Sequence, residues 1–159
     1  MSQYVAEDVR LSLRFTVKEF CFSQTAARYG LDNRLPVRLL SNARLCVQMV
    51  HDCERALQAR FVLTSGYRSP ALCKLLGSSE KSYHCQALAV DGRFDGVPML
   101  EACRQLSDSS FQIVEIEAKQ TQLHLAYGPY SARRLFQQFV SGGPVESVEF
   151  FTKPDGSKA

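Results

Sequence analysis

Leu40, Ala43, Val47, Val50, Cys53 and Leu57 recur three, four or seven residues apart, while Arg38, Arg44, Asp52 and Arg55 fall largely elsewhere. That period predicts one long helix with a single buried face, opened at Pro36 and running to about Ala59. An earlier helix is expected from Thr16 to Tyr29, stopped by Gly30 as a C-cap. Phe61-Val62-Leu63-Thr64 reads as a short buried strand, followed by a turn over 65–70, a short helix over 71–76 and a flexible loop over 77–82. Strands are then expected at Ala87 to Phe94, Phe111 to Glu117 and Gln122 to Tyr127. Pro98 opens a helix to about Leu106, with Met99, Ala102, Cys103 and Leu106 on its inner face. Ser131 to Val140 predicts a last helix, and Val145 to Phe151 a weak strand. Helices first and a small antiparallel sheet later describe an α+β domain.

Strand parity sorts the polar positions, because alternate residues share a face. Ala87, Ala89 and Asp91 are expected on one face, and His124 with Ala126 on one face against Leu123, Leu125 and Tyr127. Glu115 and Glu117 lie on the same side of their strand. Small residues beside the polar ones leave room for a substrate.

At 159 residues the chain is one domain by length and can bury a sizeable core. We read residues 1–14 as an extension, 15–141 as the domain and 142–159 as a tail with at most one extra strand. A net charge of +3 is too mild to argue for nucleic acid, and no aromatic-basic patch supports it. No apolar run approaches a membrane span. The polar, acidic N-terminus lacks the features of a signal peptide, so synthesis in the cytoplasm is expected. The six cysteines form no CxxC pair and read as small buried thiols rather than a disulfide framework. A monomer is expected.

The candidate chemistry lies in Ser82-Tyr83-His84-Cys85-Gln86-Ala87-Leu88-Ala89-Val90-Asp91 and in Gln122-Leu123-His124-Leu125-Ala126-Tyr127. A histidine and an aspartate seven residues apart carry little information alone. With a second histidine, two imidazoles and one carboxylate make a three-ligand zinc set whose fourth position stays open, as in catalytic rather than structural sites. Cys85 as a fourth ligand is disfavoured, since adjacent strand residues face opposite ways. His51, beside Asp52 on the long helix, reads as a surface residue.

Taken in order, several segments resemble the zinc peptidases of the D-Ala-D-Ala carboxypeptidase and phage endolysin group, peptidase family M15, in its short phage-type branch. The opening segments Phe15-Thr16-Val17-Lys18-Glu19-Phe20 and Ser23 to Asn33 are similar to that family's. So are Thr64-Ser65-Gly66-Tyr67-Arg68-Ser69-Pro70, Ser82-Tyr83-His84 with Ala89-Val90-Asp91, and His124-Leu125-Ala126-Tyr127. The likeness covers roughly Phe15 to Phe136. Glu117-Ala118-Lys119 also resembles a run before the last ligand of the related hedgehog signalling domain.

The resemblance implies zinc held by His84, Asp91 and His124, and Arg68 set to grip a substrate carboxylate or an oxyanion. It implies a glutamate general base shortly before the last histidine, Glu117 as first choice and Glu115 as second. The implied substrate is the peptidoglycan stem peptide, cut by a phage-derived lysis or cell-wall-degrading enzyme, acting after release or as a virion component. The chain departs from the family at Ala87, usually glycine, at Gln122, often aromatic, and at Cys73, usually asparagine. Those departures motivate an alternative: a non-catalytic zinc-binding module on the same fold.

Overall fold

The computed structural model describes residues 2–119, 121–139 and 146–148. The chain forms two compact units, one of Met1–Gln48 with Leu63–Val90 and one of Met49–Val62 with Asp91–Ala159.

In the first unit, Thr16 opens α1 (Val17–Cys21) by accepting the Glu19 N–H on its hydroxyl. Phe22 is extended, and the Ser23 hydroxyl accepts the Ala26 N–H to start α2 (Gln24–Arg28). The single helix expected over 16–29 is therefore two short ones. Ser23 competes for backbone N–H groups as a cap, which a helix interior does not allow. A 3-10 turn over Val37–Leu39 leads into α3 (Leu40–Leu57), which follows the expected period. Leu39, Ala43, Cys46 and Val47 are buried, and so are Met49, Val50, Cys53 and Leu57 in the part of α3 that belongs to the second unit. Ser69 caps α4 (Pro70–Leu75), whose first position is the proline. A second 3-10 turn covers Tyr83–Gln86 and ends at Ala87, whose φ of 58° is left-handed. The strand expected from Ala87 thus begins later, as β2 (Ala89–Phe94), because residue 87 serves as a cap. Phe15, Val17, Phe20, Leu35 and Leu72 form the core of this unit. Burying Phe20 fully is worth about 1.5–3 kcal/mol.

All six strands contribute residues to the second unit. They are β1 (Phe61–Ser65), β2, β3 (Ile113–Ala118), β4 (Leu123–Tyr127), β5 (Arg134–Phe139) and β6 (Glu146–Val148), in the order β1-β2-β4-β3-β5-β6. The α+β class with a small sheet expected from the sequence is what the structure shows, although the sheet is mixed rather than wholly antiparallel, since β3 and β5 run in parallel. The helix expected over 131–140 is not present. A 3-10 turn at Tyr130–Ala132 gives way to β5, which pairs in parallel with β3 from Glu115↔Arg134 to Ala118↔Gln137. Pairing with β3 outweighs a weak helical propensity, because a strand edge offers the backbone a full set of partners. Strand β6 pairs antiparallel with β5 and covers part of the weak strand expected at 145–151. Positions 145 and 149–151 lie outside the described residues.

Strands β3 and β4 pair Glu117 with His124 and Glu115 with Ala126, and the register slips by one residue between Ile113 and Glu115. The bulge falls at Val114, whose Cβ would lie 2.7 Å from a Cβ on Gly128, so glycine is needed there. Helix α5 (Met99–Ser107) buries Ala102, Cys103 and Leu106 and packs on β3. The segment joining them is held by Arg133, which is only 4% exposed. Its guanidinium donates to the carbonyls of Ile113 (2.9 Å), Leu106 (3.3 Å), Ser107 (3.0 Å), Ser109 (2.9 Å) and Phe111 (2.8 Å). Burial lowers the Arg133 pKa from the ordinary arginine value, yet arginine starts far enough above neutrality to stay charged.

Candidate metal centre

His84 is placed by local structure. The Ser82 hydroxyl accepts the His84 N–H at 3.2 Å, which caps the 3-10 turn carrying the imidazole. This gives the serine of the Ser-x-His motif a structural duty. His84 Nδ1 lies 2.6 Å from the Gly66 carbonyl oxygen. A carbonyl only accepts, so Nδ1 carries the hydrogen and Nε2 presents its lone pair. Such an orienting contact is the usual support of a metal-binding histidine.

Gly66 is held by the start of the chain. Tyr67 N donates to the Phe20 carbonyl at 2.9 Å, and a Cβ on Gly66 would lie 2.9 Å from a Phe20 ring carbon and closer still to its carbonyl. Only glycine allows that approach. Asn33 fastens the same segment: its amide donates to the Cys21 and Tyr67 carbonyls, at 2.7 and 3.0 Å, and its oxygen accepts Ser69 N at 2.7 Å. Arg68 donates from its backbone N to the His84 carbonyl at 3.1 Å and from Nε to the Ser65 hydroxyl at 3.0 Å.

Asp91 is fully buried on β2 and His124 is 6% exposed on β4. His124 Nδ1 is 2.8 Å from Asp91 Oδ1, and its Nε2 is 3.1 Å from Glu115 Oε1. Burial is the largest influence on the His124 pKa and lowers it. The bonds to Asp91 and Glu115, with the Asp91 charge, outweigh burial and raise the pKa overall. Lys119 Nζ stands 3.9 Å from the other Asp91 oxygen. Glu117, directly opposite His124 in the β3–β4 register, shares the face of Glu115.

One ligand atom from each of His84, Asp91 and His124 lies within 4.8 Å of the other two, and all three residues are buried. Two imidazoles and a buried carboxylate suit zinc as donors, and the His84 tautomer is the one a metal requires. The residues fit the metal.

Of the residues singled out in the sequence, His84, Asp91 and His124 come together, Glu115 reaches His124, and Glu117 stands across from it. Cys85 turns to Cys73, with the two sulfurs 2.7 Å apart. His51 is half-buried on α3 rather than a surface residue, its Nδ1 2.7 Å from Glu54 Oε1. Three contributors carried no role in the sequence reading: the Gly66 carbonyl, Asn33 and Lys119. Each sits inside a motif quoted for other residues, which is the only signal that could have found them. Among the described residues no helix is long and apolar enough to cross a membrane. The family model described as Peptidase M15 matches residues 13–126. No curated protein matches the chain.

Proposed function

The chain belongs to the peptidase M15 family, whose function is of the metallopeptidase type, and on that premise we propose a zinc-dependent hydrolase of peptidoglycan stem peptides. The bond cut would be a terminal D-Ala-D-Ala bond or an internal L-Ala to D-Glu bond, in a phage-derived lysis enzyme that reaches the cell wall after release or on the virion. The observation that carries this reading is the buried donor set of His84, Asp91 and His124, with Nδ1 of His84 tied to the Gly66 carbonyl. Zinc bound there would polarise the scissile carbonyl and acidify an attacking water.

The chain's own residues divide the remaining work. His124 would coordinate through Nδ1, the nitrogen facing Asp91, and keep the Nε2 hydrogen on Glu115. Glu115 is thereby a positioning residue, which leaves the proton transfer to Glu117. Its carboxylate would take the proton of the water and return it to the leaving amine, a role typically worth 10²–10⁴ in rate. Arg68 presents a planar fork of donors to a substrate carboxylate, which stem peptides supply on D-Ala and D-Glu.

Zinc content and muropeptide hydrolysis on one purified sample, with and without chelator and with Glu117→Gln, test the proposal. Support is stoichiometric zinc with chelator-sensitive cleavage that Glu117→Gln abolishes without losing metal. Stoichiometric zinc with no cleavage would favour the non-catalytic module, and no zinc would overturn the site itself.

A further inference from the structure

Cys73 ends no motif and Cys85 neighbours a metal ligand, yet their sulfur atoms are 2.7 Å apart. A disulfide bond is about 2.05 Å long, so closing it needs under about 1 Å of movement. Cys73 is wholly buried in α4, and Cys85 is 4% exposed in the 3-10 turn that carries His84. Between them run residues 74–84, including Gly77 at a φ of 77° and the His84 turn itself. Two buried thiols this close across a loop of this length make a pair that a small movement can cross-link.

We propose that Cys73 and Cys85 form a reversible disulfide that ties α4 to the His84 turn when the protein meets an oxidising thiol–disulfide pool. The oxidant is a low-molecular-weight disulfide. One cysteine thiolate attacks a sulfur of that disulfide and releases one small thiol, leaving a mixed disulfide. The second cysteine attacks the protein sulfur of the mixed disulfide and releases the other small thiol. Two protein thiols lose two protons and two electrons, and one small disulfide becomes two thiols. A chain made in a reducing compartment and working in an oxidising one would acquire the link on release. The link shortens the free loop that presents His84 and so holds this imidazole in place. The cross-link itself does not depend on the peptidase reading; only its timing on release does.

The test equilibrates the purified, unmodified chain with oxidised and reduced glutathione for hours, then acid-quenches, denatures, alkylates and maps the peptides by mass. In oxidised glutathione two of the six cysteines should escape alkylation, and the linked peptides should contain Cys73 and Cys85. Amide hydrogen exchange over residues 74–84 should slow several-fold in that sample and recover on reduction. Cys73→Ser should keep its five thiols alkylatable under the same conditions. Six alkylated thiols in the oxidised wild-type chain, a different linked pair, or unchanged exchange over 74–84 would overturn the proposal. Because neither readout uses metal or substrate, its failure is separate from failure of the proposed activity.

Discussion

Replacing Gly66 by alanine tests whether the opening segment of the chain sets the His84 tautomer. A Cβ at residue 66 would lie 2.9 Å from a Phe20 ring carbon, against an ordinary contact that starts at 3.4 Å, and it would press harder on the Phe20 carbonyl. The ring must retreat by about 0.5 Å and the backbone by more, in a core where Phe20 is wholly buried. Overpacking of this kind costs about 1–3 kcal/mol. For a chain of this size that lowers the unfolding temperature by roughly 3–10 °C. The same movement displaces the Gly66 carbonyl, which accepts from His84 Nδ1 at 2.6 Å. Loss of such a supporting contact typically weakens metal binding 10–100-fold. Thermal unfolding by circular dichroism and a competitive zinc titration read the two effects separately. Gly30→Ala is the control: its φ is 65°, but nothing lies within 4 Å of the added carbon. It should lose about 1–2 kcal/mol of stability and no zinc affinity. If Gly66→Ala unfolds and binds zinc as the native chain does, the argument from Phe20 through Gly66 to His84 is wrong.

Arg133→Met takes a donor from five carbonyls, of which those of Leu106 and Phe111 keep another, and should cost about 3–5 kcal/mol in urea unfolding, with Arg133→Lys intermediate; equality of Met and wild type would refute a structural role for the guanidinium. At Ala87, glycine relieves the left-handed backbone but removes a buried methyl, so Ala87→Gly should stay within about 1 kcal/mol of the native chain. Ala87→Val should lose more than about 2 kcal/mol, and a neutral valine would show that the positive φ does not matter there. Glu117→Gln should lower kcat 10²-fold or more with zinc affinity intact. Glu115→Gln, which still reaches His124 but holds its Nε2 hydrogen less strongly, should weaken zinc binding about 10-fold; the opposite pattern in the two variants would exchange their roles.

The legible parts of this fold are those whose cause is local. Helix α3 shows itself through 18 residues of one period, and Ser82-x-His84 through a cap two positions from the residue it positions. The break between α1 and α2 was readable in principle, since Ser23 is a strong cap residue. Strand β5 had no local signature: its partner β3 lies about 20 residues earlier, and pairing rather than propensity decides its state. The same holds for Arg133, whose five acceptors belong to another segment. That Glu115 rather than Glu117 reaches His124 depends on side-chain reach across the bulged β3–β4 ladder, which the strand parities alone do not give. Ala87 departs from its family's glycine at a position with a φ of 58°, so the departure has a backbone cost rather than a bearing on the metal.

The family match ends at residue 126, inside β4, whereas β5 starts at Arg134. Without β5, strand β3 would be the outer strand of the sheet, with a row of unpaired amides and carbonyls beside Glu115 and Glu117. Unpaired rows of that kind recruit other chains and seed aggregation. Strand β5 turns β3 into an interior strand, and among the described residues the outermost position passes to β6, which is three residues long and a poor template. A version cut back to the matched region would keep all three proposed ligands and both glutamates, yet it would lose Arg133 together with β5 and should be both less stable and prone to precipitate.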